Sequence, residues 1–159
     1  MPVDTPGVVE ALEHAPEQLA AAHDTAAEEP RRSTLPGPDA IDPLVVCGMG
    51  GSGVVGDVVA TVGSASLPVP VIVLKQLRIP KFVGPRTLVF AVSSSGDTEE
   101  TIAMAEGAVD TGAPLVTIAS GGALEAIGRA HGVAHLPVTA DVPGPRFALG
   151  AMIAPALLV

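Results

Sequence analysis

"LVVCGMGGSGVVGDVVATV", Leu44 to Val62, is the stretch that decides the architecture. Four apolar residues, Leu44 to Cys47, run into glycines at 48, 50, 51 and 53, and a valine-rich segment continues to Val62. An apolar run this short reads as a buried strand, the glycines as a loop, and Gly53 to Val62 as a helix. The stretch is one strand-loop-helix unit.

The alternation repeats downstream. Val69 to Leu74 and Leu88 to Val92 read as buried strands, Asp97 to Asp110 as a helix, and Pro114 to Ile118 as a fourth strand. "GGALEAIGRA" supplies another helix and Val133 to Leu136 a short last strand. Strands alternating with helices pair in parallel through right-handed crossovers, with helices on both faces. The expected fold is α/β, a three-layer sandwich around a mostly parallel sheet. Upstream, Val8 to Glu29 sets Val9, Leu12 and Leu19 among acids, which predicts an amphipathic leading helix interrupted near Pro16. "EPRRSTLPGPD" then breaks it, so residues 1–42 read as a helical segment with a linker and 43–159 as the domain.

The composition fits this. A chain of 159 residues has the length of one ordinary domain, and with 48% hydrophobic but only 2% aromatic residues its core must be Val, Ala, Leu and Ile. A net charge of -9 opposes a nucleic-acid surface, and the absence of Trp and Tyr removes most stacking platforms. No basic, apolar signal opens the chain, and the longest apolar run, "ALGAMIAPALLV" from Ala148 to Val159, falls short of the ~20 residues needed to span a bilayer. A cytoplasmic protein without membrane contact is expected. The single Cys47 cannot form an internal disulfide and reads as a buried strand residue.

In an open parallel sheet, ligands bind outside the carboxyl ends of the strands. Two loops fall there. "CGMGGSGVVGD" lets backbone N–H groups approach an anion at the positive end of a helix. "AVSSSGDTEET", Ala91 to Thr101, gathers Ser93, Ser94, Ser95 and Thr98 where the next helix opens. A helix cap accounts for one or two of those hydroxyls. Four of them beside a second glycine loop point to a single phosphate. Gly48, Gly50 and Gly53 also fit the dinucleotide pattern G-x-G-x-x-G, but no Asp or Glu occurs from Val58 to Ser95 to hold a ribose. An NADP-binding Rossmann domain, with Lys75 near a 2'-phosphate, remains a minor alternative.

"GMGGSGVVGD", "SSSGDTEET" and "PGPRFALG" resemble, in order and position, the first sugar isomerase (SIS) domain of the bifunctional phosphoglucose/phosphomannose isomerases, from about Leu44 onward. The resemblance implies a Rossmann-like or flavodoxin-like SIS fold that binds glucose 6-phosphate, mannose 6-phosphate or fructose 6-phosphate, and an isomerase that interconverts them through a cis-enediolate without a cofactor. It places Ser93, Ser95 and Thr98 on the phosphate, Gly50, Gly51 and Ser52 at the sugar, and Arg146 on the enediolate charge. Ser94 stands where the family usually has tyrosine, and Asp97 often aligns with asparagine. The family's glutamate base and ring-opening histidine lie in a second SIS domain. The chain is therefore expected to be truncated, its apolar "AMIAPALLV" end covered by a second SIS domain or a homodimer partner. The alternative is a noncatalytic phosphosugar-binding or sensor module.

Other candidates are weaker. His131 and His135 have helical metal-pair spacing, but Gly132 and "VAHLPV" mark a helix-to-strand junction, so no metal is expected. "GGSGV" lacks the second glycine of G-x-S-x-G. Since the ribose partner is missing, fluorescence titration with NADH or NADPH should show no micromolar binding, and such binding would restore the dinucleotide alternative.

Overall fold

Strands that are apolar along both faces belong in the middle of a parallel sheet, covered by helices on each side. The computed structural model describes residues 8–28, 35–139 and 147–158. Its strands are β1 (Leu44–Cys47), β2 (Val71–Leu74), β3 (Leu88–Val92), β4 (Leu115–Ala119) and β5 (Ala134–Pro137), all parallel, in the order β2-β1-β3-β4-β5. Every residue of β1, β3 and β4 is buried, whereas the edge strands β2 and β5 are only partly so.

The helices are α1 (Val8–Glu13), α2 (Ala15–Glu28), α3 (Gly50–Gly63), α4 (Glu99–Asp110), α5 (Gly122–His131) and α6 (Leu149–Leu158). Alternate strand residues face opposite layers, as the period of a strand requires. Val46, Phe90, Val92 and Ile118 pack with Val55 and Val59 of α3 and Met152 of α6. Val45, Cys47, Val89 and Ala91 pack with Met104 and Ala105 of α4 and Leu124 of α5. The three-layer α/β sandwich predicted from the sequence is the observed fold.

Gly56 sets how closely α3 lies on the sheet. A Cβ there would come within 2.7 Å of Val73 Cγ1 and 3.2 Å of Val46 Cγ1, so glycine allows the closest approach.

Several boundaries differ from those predicted, β2 among them, which begins at Val71 instead of Val69. Helix α3 begins at Gly50 instead of Gly53, because packing against the sheet and α6 overrides the poor helix propensity of the glycines. The leading helix is interrupted at His14, near Pro16 as predicted, and Pro16 falls in the first turn of α2, where its missing N–H leaves no intrahelical bond unmade. Helix α4 begins at Glu99, two residues later than predicted, with Thr98 at its N-cap position.

The apolar run from Ala148 is largely α6, and this chain covers one part of it while Leu157 stays exposed. Ala151, Met152, Ala154, Pro155 and Ala156 are buried, and α6 lies against α2 and α3. The contact with α2 is close: a Cβ on Gly150 would be 3.1 Å from the Ala15 carbonyl. Ala22 of α2 belongs to the same core cluster, which joins the leading helix to the sheet layer.

Phe90, 1% exposed at the centre of this layer, is the test of that core. Phe90→Ala should lower stability by about 3–5 kcal/mol in urea unfolding, through lost transfer energy and the cavity left behind.

Candidate functional site

From β1 the chain crosses through α3 to β2 on one side, while β3 lies on the other. The crossovers therefore diverge between β1 and β3, and a crevice opens outside their carboxyl ends. The glycine loop follows β1 and the serine loop follows β3, so topology brings both predicted loops to that crevice.

They are joined there. A Cβ on Gly48 would lie 3.1 Å from the Val92 carbonyl, which measures how closely the two strand ends approach. The Ser94 N–H donates to Ser52 Oγ at 3.3 Å, and the Ser52 hydroxyl donates to Met152 Sδ at 3.5 Å. Ser52 is buried in the first turn of α3.

The predicted phosphate hydroxyls occupy different settings. Ser93 is buried and Thr98 half-buried, their oxygens 2.9 Å apart, and Ser93 Oγ also accepts the Gly96 N–H at 3.1 Å. Ser95 is exposed, and its Oγ accepts the Asp97 N–H at 3.2 Å. Thr98 holds the N-cap position of α4, yet its hydroxyl makes no cap bond and turns to Ser93 instead. Simple helix capping therefore does not explain Thr98. Within the Ser93–Thr98 pair one hydroxyl donates to the other, which leaves one hydrogen free to donate outward.

Three helices begin at this edge of the sheet, and they are not equivalent. Helix α5 is closed by the serine loop: Asp97 Oδ1 accepts the Ala123 N–H at 2.9 Å, and the Gly96 carbonyl accepts the Leu124 N–H at 3.1 Å. Neither α3 nor α4 has a side-chain cap bond at its N-cap residue, Met49 or Thr98. In α3 the first amide to bond back is Gly53, to the Met49 carbonyl, and in α4 it is Ile102, to the Thr98 carbonyl. The amides of Gly50, Gly51 and Ser52, and of Glu99, Glu100 and Thr101, precede those bonds and have no intrahelical acceptor. Two positive helix ends thus meet at the crevice, suited to an anion. Thr101 Oγ1, buried in the same turn of α4, has no hydrogen-bond partner.

Other sequence candidates contribute less. Arg146 lies outside the described residues. Lys75 donates to Asp57 Oδ2 at 2.7 Å, its stem lying over Gly53. His131 ends α5, Gly132 caps that helix in the left-handed region at φ 64°, and His135 sits in β5 with Nδ1 2.9 Å from Thr117 Oγ1. Among the described residues no group of three or more His, Cys, Asp or Glu could hold a metal ion, and no helix is long and apolar enough to cross a membrane. Burial pushes the Cys47 thiol up to about 12, which keeps it protonated and inert.

Curated relatives 34–40% identical to the chain align with 70–75% of it. The bifunctional phosphoglucose/phosphomannose isomerase of Thermoplasma acidophilum is 40% identical over 115 residues, covering 70% of this chain and 34% of that protein. The proteins of the same name from Caldicellulosiruptor bescii (34% over 119 residues, 75% and 35% covered) and Aquifex aeolicus (36% over 115 residues, 72% and 36% covered) agree. The chain is homologous to one SIS domain of the bifunctional phosphoglucose/phosphomannose isomerase family. It spans about a third of the length of the curated relatives it matches. No family model matches it.

Solved structures share the SIS fold. A candidate phosphosugar isomerase of Clostridium difficile 630 superposes with TM-score 0.76 at 18% identity, over 96% of this chain and 44% of that one. The Vibrio vulnificus NanR protein complexed with ManNAc-6P superposes with TM-score 0.65 at 22% identity, over 94% and 61%.

The serine loop of this SIS domain depends on Gly96. Its φ of +81° is left-handed, and a Cβ would overlap the Gly121 carbonyl. Gly96→Ala should cost more than about 1 kcal/mol in chemical denaturation. Gly37→Ala, where a Cβ would meet nothing within 4 Å, serves as the control and should not destabilise.

Proposed function

We propose that the chain binds a hexose 6-phosphate at the crevice between β1 and β3, as one half of an aldose-ketose isomerase that interconverts glucose 6-phosphate or mannose 6-phosphate with fructose 6-phosphate. The observation that carries this is the Ser93–Thr98 hydroxyl pair, set between two helix N-termini that no side chain caps. The homology to one domain of the bifunctional isomerases supplies the reaction class.

In this scheme Ser93, Ser95 and Thr98 anchor the phosphate, with the first-turn amides of α4 behind them. The amides of Gly50, Gly51 and Ser52 hold the open-chain sugar. The reaction moves a proton between C1 and C2 by way of a cis-enediolate, whose negative charge Arg146 stabilises. The carboxylate base and the ring-opening histidine come from a second SIS domain, packed on residues 43–159 of this chain or brought by a homodimer partner. The setting is cytoplasmic, where hexose phosphates are found.

A second reading is a noncatalytic sensor. The same fold in the sugar isomerase domain of the RpiR transcription factor from Sphaerobacter thermophilus is the observation that favours it. Catalysis separates the two.

Two measurements test the proposal. In calorimetry, Ser95→Ala with Thr98→Ala should weaken fructose 6-phosphate by about 1.5–3 kcal/mol for each lost hydrogen bond to the charged phosphate, and an unchanged affinity would refute the cradle. A coupled isomerase assay should find the pure chain about 10²–10⁴-fold slower than the same chain mixed with a second SIS domain that carries the base. Binding without turnover in the mixture as well would favour the sensor.

A further inference from the structure

The resemblance sets Ser52 at the sugar, but in the structure the Ser52 hydroxyl is already committed. The residue is 8% exposed, it accepts the Ser94 N–H at 3.3 Å, and it donates to Met152 Sδ at 3.5 Å. A hydroxyl has one hydrogen to give. While that hydrogen points at Met152, it cannot also donate to a sugar or a phosphate.

The same two bonds tie three elements together. Ser52 belongs to the first turn of α3, Ser94 to the loop after β3, and Met152 to α6. Met152 is fully buried, and α6 is held in turn by α2, whose backbone lies beside Gly150. The thioether is therefore a fixed acceptor, and a Ser52 hydroxyl that donates to it keeps a lone pair for the Ser94 amide.

We infer that Met152 and Ser52 form a joint that sets the spacing between the glycine loop and the serine loop, and that Met152, which touches no substrate, is a positioning residue of the phosphosugar site. The inference rests on the function proposed above. It divides Ser52 in two: its backbone amide serves the ligand, and its side chain serves the loop.

The test compares Met152→Leu, which keeps an apolar side chain of similar volume and removes the acceptor, with Ser52→Ala and the double variant, all in the full chain. Fructose 6-phosphate affinity is measured by calorimetry, amide exchange at Ser94 by NMR without ligand, and the urea midpoint serves as a control. Each single variant should bind about 3- to 10-fold more weakly, the range expected for one net hydrogen bond, and Ser94 should exchange faster in both. The double variant should be no weaker than Ser52→Ala alone, because both changes break one joint. Native affinity in Met152→Leu beside a loss in Ser52→Ala would make Ser52 a direct ligand and overturn the inference, as would additive losses. If leucine lowers the urea midpoint, norleucine introduced at 152 alone by semisynthesis removes the sulfur with the unbranched shape kept, and the same readouts decide. Failure of the native chain to bind fructose 6-phosphate would sink the phosphosugar function instead, and exchange at Ser94 would then decide the joint by itself.

Discussion

Helix α3 can lie against β1 and β2 because Gly56 has no side chain, and the site depends on that approach. A Cβ at 56 would press on Val73 and Val46, so the helix or those side chains would have to shift. A shift of the helix would move its first turn relative to the carboxyl end of β1 and strain the Ser52 contact with the Ser94 amide. A contact in the middle of the helix thus fixes the position of the amides at its beginning. Cores packed as densely as crystals transmit such displacements instead of absorbing them.

The electrostatics of the crevice follow from what it is made of. The chain carries a net charge of -9, and the cation beside the glycine loop, Lys75, is paired with Asp57. Glu99 and Glu100 open α4, where they favour the helix dipole. Among the described residues the donors at the crevice are therefore neutral hydroxyls and backbone amides, which act at short range and gain strength only when solvent is excluded. Asp97 fits this arrangement: its carboxylate is spent on the N-terminus of α5, so that helix end is closed while those of α3 and α4 stay open.

Much of this was legible in the sequence, for physical reasons. Short apolar runs bounded by proline, glycine or hydroxyl residues read as buried parallel strands, so β1, β3 and β4 were placed within a residue of their observed bounds. The glycine and serine loops were found because hydroxyls and glycines are dense where a strand gives way to a helix. Helix α6 was not recognised as a helix: its residues are apolar all round and include Pro155, so no 3.6-residue pattern marks it. The cap on α5 was hidden because Asp97 caps a helix other than its own, 26 positions along the chain. The contact from Ser52 to Met152 spans 100 positions, and no local pattern could have announced it.

The pairing of α2 with α6 also bears on how the chain acquires its fold. One layer of the sheet combines α3 with helices from opposite ends of the described sequence, Ala15–Glu28 and Leu149–Leu158. During synthesis the sheet and the α4–α5 layer can assemble from neighbouring segments as they emerge. The other face carries α3 early, but its share of the sheet under α6 stays uncovered until Leu149–Leu158 has been made. Closing so long a loop is slow compared with local pairing, and a half-covered sheet is the form in which a nascent chain most needs a chaperone.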